Sequence, residues 1–143
     1  MIDIKELRIG NYIELIFERE LDRGNGIIED VEVSKVVQFA GHDPFSGWVY
    51  INPEVGELAF SYSHDLEPIP ITGEWLIKLG FEVKKSNYSA ADIYLKSSVD
   101  FNFLIEDARS GFNWIAGLYD IESVHQLQNL YFALTGKELT IKE

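Results

Sequence analysis

A chain of 143 residues, 46% of them hydrophobic, is too apolar to be disordered, and its length suits one compact domain or two small modules. With 24 acids against 12 bases the formal charge is -12, which repels phosphate backbones and speaks against direct nucleic-acid binding. The absence of cysteine excludes disulfides, thiol nucleophiles and cysteine zinc sites, and no apolar run reaches the roughly 18 residues of a membrane span.

The opening MIDIKELRIG has charges every few residues and no apolar core of signal-peptide length, so the expected compartment is the cytoplasm. Asn11 to Leu21 is predicted as a strand, with Ile13, Leu15 and Phe17 on one face and Glu14 and Glu18 on the other. The Asn25-Gly26 pair predicts a two-residue hairpin turn, since both residues tolerate positive φ, and Ile27 to Phe39 is the return strand. Gly41-His42-Asp43-Pro44 is expected to break the chain. Trp48 to Ile51 and Leu58 to Tyr62 then form a second hairpin around the loop from Asn52 to Gly56. A symmetric register sets Trp48 against Tyr62 and Tyr50 against Phe60, an aromatic ladder on one side of the sheet.

Leu66-Glu67-Pro68-Ile69-Pro70 must be extended, because each proline fixes its own φ and pushes the preceding residue out of the helical region. It is the expected seam between a β-rich half, 1–70, and a second half, 71–143, fused into one globular unit. Thr72 is the N-cap of a short helix from Gly73 to Leu79, stopped by Gly80 in the left-handed conformation with Phe81 folded back on Leu76. Three or four strands follow: Phe81 to Lys85, Asp92 to Lys96, Phe101 to Glu106 and Phe112 to Leu118, with turns at Ser97-Ser98 and Arg109-Ser110-Gly111. The last helix begins near Asp120 or Ser123, where Ser123 and Gln126 have capping-box spacing, and ends at Gly136. Val124, Leu127, Leu130, Tyr131 and Leu134 form its core-facing stripe. The expected fold is α+β: an SH3-like N-terminal half, then a short helix, antiparallel strands and a C-terminal helix laid on that sheet.

Three blocks, KELRIGNYIEL, LEPIPITGEWLIKLGF and SVHQLQNLYFALTGKELTI, resemble a family of small uncharacterised proteins of Bacteroidetes and their phages or mobile elements. The resemblance runs from end to end. It implies no activity, cofactor or catalytic residue for this chain.

Candidate sites are few. From Ser123 to Gly136 no residue is charged, although a quarter of the chain is, so the helix face carrying His125, Gln128, Asn129 and Phe132 is expected to be covered. Its cover is either another part of the chain, an unidentified protein partner or a second copy. Trp48, Tyr50, Phe60 and Tyr62 beside Glu54, Glu57 and Asp65 fit a groove for extended or basic peptides, against the simpler expectation that they form the core of a small barrel. His42, Asp43, His64 and Asp65 would hold a divalent metal if their loops met, though ordinary turn chemistry explains them better. No nucleophile elbow, phosphate-cradling glycine loop or cofactor motif is present. The reading is a non-catalytic protein-binding accessory protein of a phage or mobile element. Its alternatives are an acidic nucleic-acid-mimicking inhibitor of a host protein and a metal-dependent hydrolase.

Overall fold

In the computed structural model, periodicity of two in the first half and capped helices in the second produce two antiparallel sheets and two helices, an α+β fold. The structure describes all residues except 1, 3, 25, 44, 46, 54, 62–64, 86–91, 98–101, 109, 110, 115–118 and 143; at 4, 19, 43, 60, 61 and 65 it describes the backbone. The chain divides into two compact units, Met1–Ile69 and Pro70–Glu143.

The first unit contains β1 (Tyr12–Asp22), β2 (Ile28–Asp43), β3 (Gly47–Ile51), β4 (Leu58–Ser61) and β5 (Asp65–Glu67), in the sheet order β4-β3-β2-β1-β5. Four strands meander and the fifth returns antiparallel to the first, Leu66 opposite Leu15. Alternate residues of β1 and β2 point inward, so Ile13, Leu15, Val37 and Phe39 meet Ile2 and Leu66 in a closed apolar cluster. Entry into β1 is set by a turn at Arg8 to Asn11. Asn11 N donates to the Arg8 carbonyl at 3.0 Å, Asn11 Oδ1 accepts from Arg8 N at 2.8 Å, and Gly10 takes φ 96°, which an L side chain resists.

Two hairpins differ from expectation. Arg23 pairs with Ile27 through an N–H···O bond of 3.2 Å, so the β1–β2 loop has three residues, 24–26, with Gly24 and Gly26 both at positive φ. Asp22 Oδ1 accepts from Gly24 N at 2.8 Å and stabilises this longer loop; Asn25 lies outside the described residues. The expected break across Gly41-His42-Asp43-Pro44 comes only at its end, β3 beginning at Gly47. β2 runs on to Asp43 with a bulge between Phe39 and Gly41, because one extra residue can be absorbed by a bent strand without ending the ladder.

The second unit begins with α1 (Gly73–Lys78) and β6 (Glu82–Lys85), continues through β7 (Asp92–Ser97), β8 (Asn102–Ala108), β9 (Gly111–Trp114) and β10 (Tyr119–Ile121), and ends with α2 (Val124–Thr135). Its sheet follows chain order, β10-β9-β8-β7-β6, all antiparallel. Of the expected strand from Phe112 to Leu118, β9 covers Phe112 to Trp114 and residues 115–118 lie outside the described residues; β10, an unexpected strand, pairs with β9, Phe112 opposite Ile121. Thr72 Oγ1 caps α1 by accepting from Trp75 N at 3.2 Å. Gly80 at φ 89° lets Phe81 N reach the Leu76 carbonyl at 2.9 Å and Gly80 N reach that of Ile77 at 3.0 Å, closing the helix end. α2 lies on the sheet, with the Tyr131 and Phe103 rings 5.6 Å apart and Val124, Leu127 and Phe103 all without exposed surface.

Candidate functional site

The aromatic ladder does not form as expected. Trp48 stands opposite Ser61, Val49 opposite Phe60, Tyr50 opposite Ala59 and Ile51 opposite Leu58, one residue away from the symmetric register. The cause is the loop: Asn52 N donates to the Glu57 carbonyl at 3.0 Å, and Gly56, at φ 70°, donates to the Asn52 carbonyl at 2.7 Å, which closes residues 53–56 as the loop. Phe60 is therefore no partner of Tyr50, and Tyr62 lies outside the described residues. Trp48 and Tyr50 pack against the apolar cluster of the first unit, with the Trp48 ring 6.2 Å from that of Phe39. Both are half-buried against that core, which agrees better with the barrel-core expectation than with an open groove.

On α2, His125 and Gln128 are buried, Asn129 is half-buried and Phe132 is exposed. Gln128 has no exposed surface, and its Nε2 donates to the Leu139 carbonyl at 2.9 Å. The segment after α2 thus covers part of this face from within the same unit. It is anchored again where Lys142 N donates to the Lys78 carbonyl at 2.7 Å. Leu139 is buried in consequence, whereas Leu134, expected in the core stripe, is 42% exposed in the last turn of the helix.

The metal candidates are not gathered. His42 belongs to β2, opposite Trp48, and its ring meets the indole edge-on at 4.9 Å. Asp65 starts β5 opposite Ile16, whose β2 partner is Ser34. His42 is thus eight residues further along β2 from Asp65's position in the sheet, about 26 Å of strand. His64 and the side chains of Asp43 and Asp65 lie outside the described residues. Among the described residues no group of three or more His, Cys, Asp or Glu side chains is placed to hold a metal, and no helix is long and apolar enough to cross a membrane.

What the sequence reading missed is an acidic lattice on the β1–β2 hairpin. The register sets Glu18 directly opposite Glu32 and Glu20 directly opposite Asp30, with Asp22 next in the β1 column opposite Ile28. All five carboxylate residues are exposed. The other face of the same strands carries Phe17, Leu21, Val31 and Val33, all half-buried. Like charges directly across a ladder repel, so this face is arranged against local stability. The signal lies in the alternating acids of ERELD and EDVE, but it becomes legible only with the three-residue loop. A two-residue turn at Asn25-Gly26 would pair Glu18 with Val33 and Glu20 with Val31.

A second feature is a cleft of about 360 Å³ in the second unit, lined by Ile71, Gly111, Phe112, Asp120, Ile121 and Glu122. Near its Phe112 wall, whose ring lies 6.1 Å from that of Tyr94, burial raises the Tyr94 phenol above its ordinary pKa, with Asp107 and Asp92 adding to the effect. A Cβ at Gly73 would collide with the Tyr94 hydroxyl, so a larger residue at the start of α1 would require the Tyr94 side chain to move. Lys96 Nζ, on the same sheet, donates to the Leu79 carbonyl at 2.9 Å, and burial followed by the nearby Lys142 lowers its pKa.

The three sequence blocks coincide with the Arg8–Asn11 turn, the capped α1 and the capped α2 with Gln128. No family model, curated protein or solved structure matches this chain.

Proposed function

We propose that the chain is a non-catalytic protein-binding accessory protein of a phage or mobile element, and that the acidic face of the β1–β2 hairpin meets a basic surface on its partner. The observation that carries this reading is the direct opposition of Glu18 to Glu32 and Glu20 to Asp30. Repulsion between facing carboxylates weakens the free hairpin and is relieved when cationic side chains settle between the columns. The first unit is read as SH3-like, which its meander with β5 returned antiparallel to β1 supports.

The same lattice favours the nucleic-acid-mimicking alternative as a second reading. Carboxylates at every second residue of a strand repeat about every 6.8 Å, so two such columns present a regular array of negative charge to a nucleic-acid-binding protein. A partner captured at low salt by the wild type, and not by a variant neutralised at Glu18, Glu20, Asp30 and Glu32, is the expected result. Competition of that partner by duplex DNA would select the mimic, and its indifference to DNA the general protein-binding reading. Equal capture by both variants would move the interface off the hairpin, and turnover of a substrate would end the non-catalytic assignment.

A further inference from the structure

The second sheet has two edges, β10 and β6. β10 has three residues and Ile121 among them is buried, whereas all four residues of β6, Glu82 to Lys85, are exposed. β7 pairs with β6 along its whole length, Glu82 opposite Leu95 and Lys85 opposite Asp92, and takes up the main-chain groups of alternate β6 residues. The other alternate set points away from the sheet, an open row of donors and acceptors. Side chains divide with the same period: Glu82 and Lys84 leave one face, Val83 and Lys85 the other. In a chain charged at -12, this strand carries two lysines and one glutamate.

We infer that β6 is the interface of a two-fold symmetric dimer, in which the β6 strands of two copies pair antiparallel and join their five-stranded sheets. Hydrogen bonding restricts the register. The outward residues of one edge must face the outward residues of the other, so a symmetric pairing is centred on a residue that stands opposite itself. Centring on Glu82, Lys84 or Lys85 sets like charges face to face. Centring on Val83 sets Val83 against Val83 and, on either side of it, Glu82 against Lys84 of the second copy. These opposed residues leave the same face of the joined sheet, so each glutamate meets a lysine and the apolar pair sits beside them. Lysine on an edge strand ordinarily blocks pairing; here Glu82, two residues earlier, turns the same lysine into a pairing group. A strand of another protein would need a base opposite Glu82 and an acid opposite Lys84, an order that β6 itself supplies. The charge of -12 on each copy opposes approach at long range, but at physiological ionic strength exposed charges more than about 8 Å apart are largely screened, and the edge itself has an excess of lysine. Two four-residue strands make a small contact, so the association is weak and concentration-dependent.

The test is sedimentation of the whole protein across a concentration series at physiological salt. A reversible monomer–dimer mixture is expected, with the dimer growing as concentration rises. Lys84→Glu sets two glutamates face to face and should weaken the dimer about tenfold or more, as should Glu82→Lys, which sets two lysines face to face. The exchanged variant Glu82→Lys/Lys84→Glu restores both pairs and should recover wild-type association. Lys137→Glu, an equal change of charge at an exposed residue outside β6, should leave it unaltered. Because the chain has no cysteine, Val83→Cys introduces one thiol that faces its own copy, and it should form a disulfide dimer about tenfold faster than Lys137→Cys. A monomer at every concentration, a dimer indifferent to Lys84→Glu, or a dimer lost in Lys84→Glu and not recovered by the exchange overturns the inference. Disulfide formation no faster at Val83→Cys than at Lys137→Cys overturns it as well.

Discussion

Gln128 is a neutral residue with no exposed surface whose Nε2 holds the Leu139 carbonyl, so removing it exposes two penalties at once. Gln128→Ala should cost about 2–4 kcal/mol in urea unfolding, from an unsatisfied carbonyl plus a cavity; Gln128→Leu should cost less, because it keeps the volume and loses only the donor. Lys96 gives a pH prediction. Its folded pKa is lowered, so between that value and the ordinary one the unfolded chain holds more protons, and stability contributed at this position rises with pH through that alkaline window. Melting temperatures of wild type relative to Lys96→Met, measured across the same window, should therefore improve as pH rises. A flat difference would mean the ammonium suffers no net desolvation. These residues were only partly legible in advance: the charge-free run marked Gln128 as covered, but the carbonyl it holds comes from beyond the helix, and no local pattern in the sequence points to that.

At the scale of elements, the β1–β2 hairpin is the part whose meaning depends most on register. Glu20→Lys places a cation opposite Asp30, so repulsion becomes attraction. The variant should melt about 1–4 °C higher than wild type at low salt and lose part of its affinity for a basic partner. Added salt should narrow the difference in melting temperature, since both effects act between solvent-exposed charges. A lower melting temperature for Glu20→Lys would show that the lattice is not under repulsive load. α1 behaves differently, because its start and stop are both encoded within a few residues. Thr72, Gly80 and Phe81 act as expected there, for capping is chemistry between near neighbours. α2 follows the same rule with one change: Gln126 bonds the N–H of Glu122, one residue before the Ser123 cap, rather than that of Ser123.

For the molecule as a whole, each unit has its own sheet and its own buried residues, Ile13, Leu15, Val37 and Phe39 in the first, Leu76, Phe103, Ile105 and Leu127 in the second. Residues 70–143 expressed alone should accordingly give a cooperative thermal transition; a broad, non-cooperative melt would show that the unit depends on the rest of the chain. Phe132, 37% exposed on α2, is the residue through which self-association is tested. Phe132→Asp should reduce particle size in light scattering without unfolding if that face joins two copies, and leave size unchanged if it does not. What the sequence by itself determined was whatever is written in period or in neighbours: the inward face of β1, both helices with their caps, the extended proline segment, and an α+β class. The tertiary structure alone decided the registers of two hairpins, the presence of β10 beside β9, the tail held by Gln128, and the acidic face of the β1–β2 hairpin. The physical reason is that strand pairing is set by loop length and long-range contacts. A shift of one residue exchanges the faces of a strand while leaving its sequence pattern unchanged.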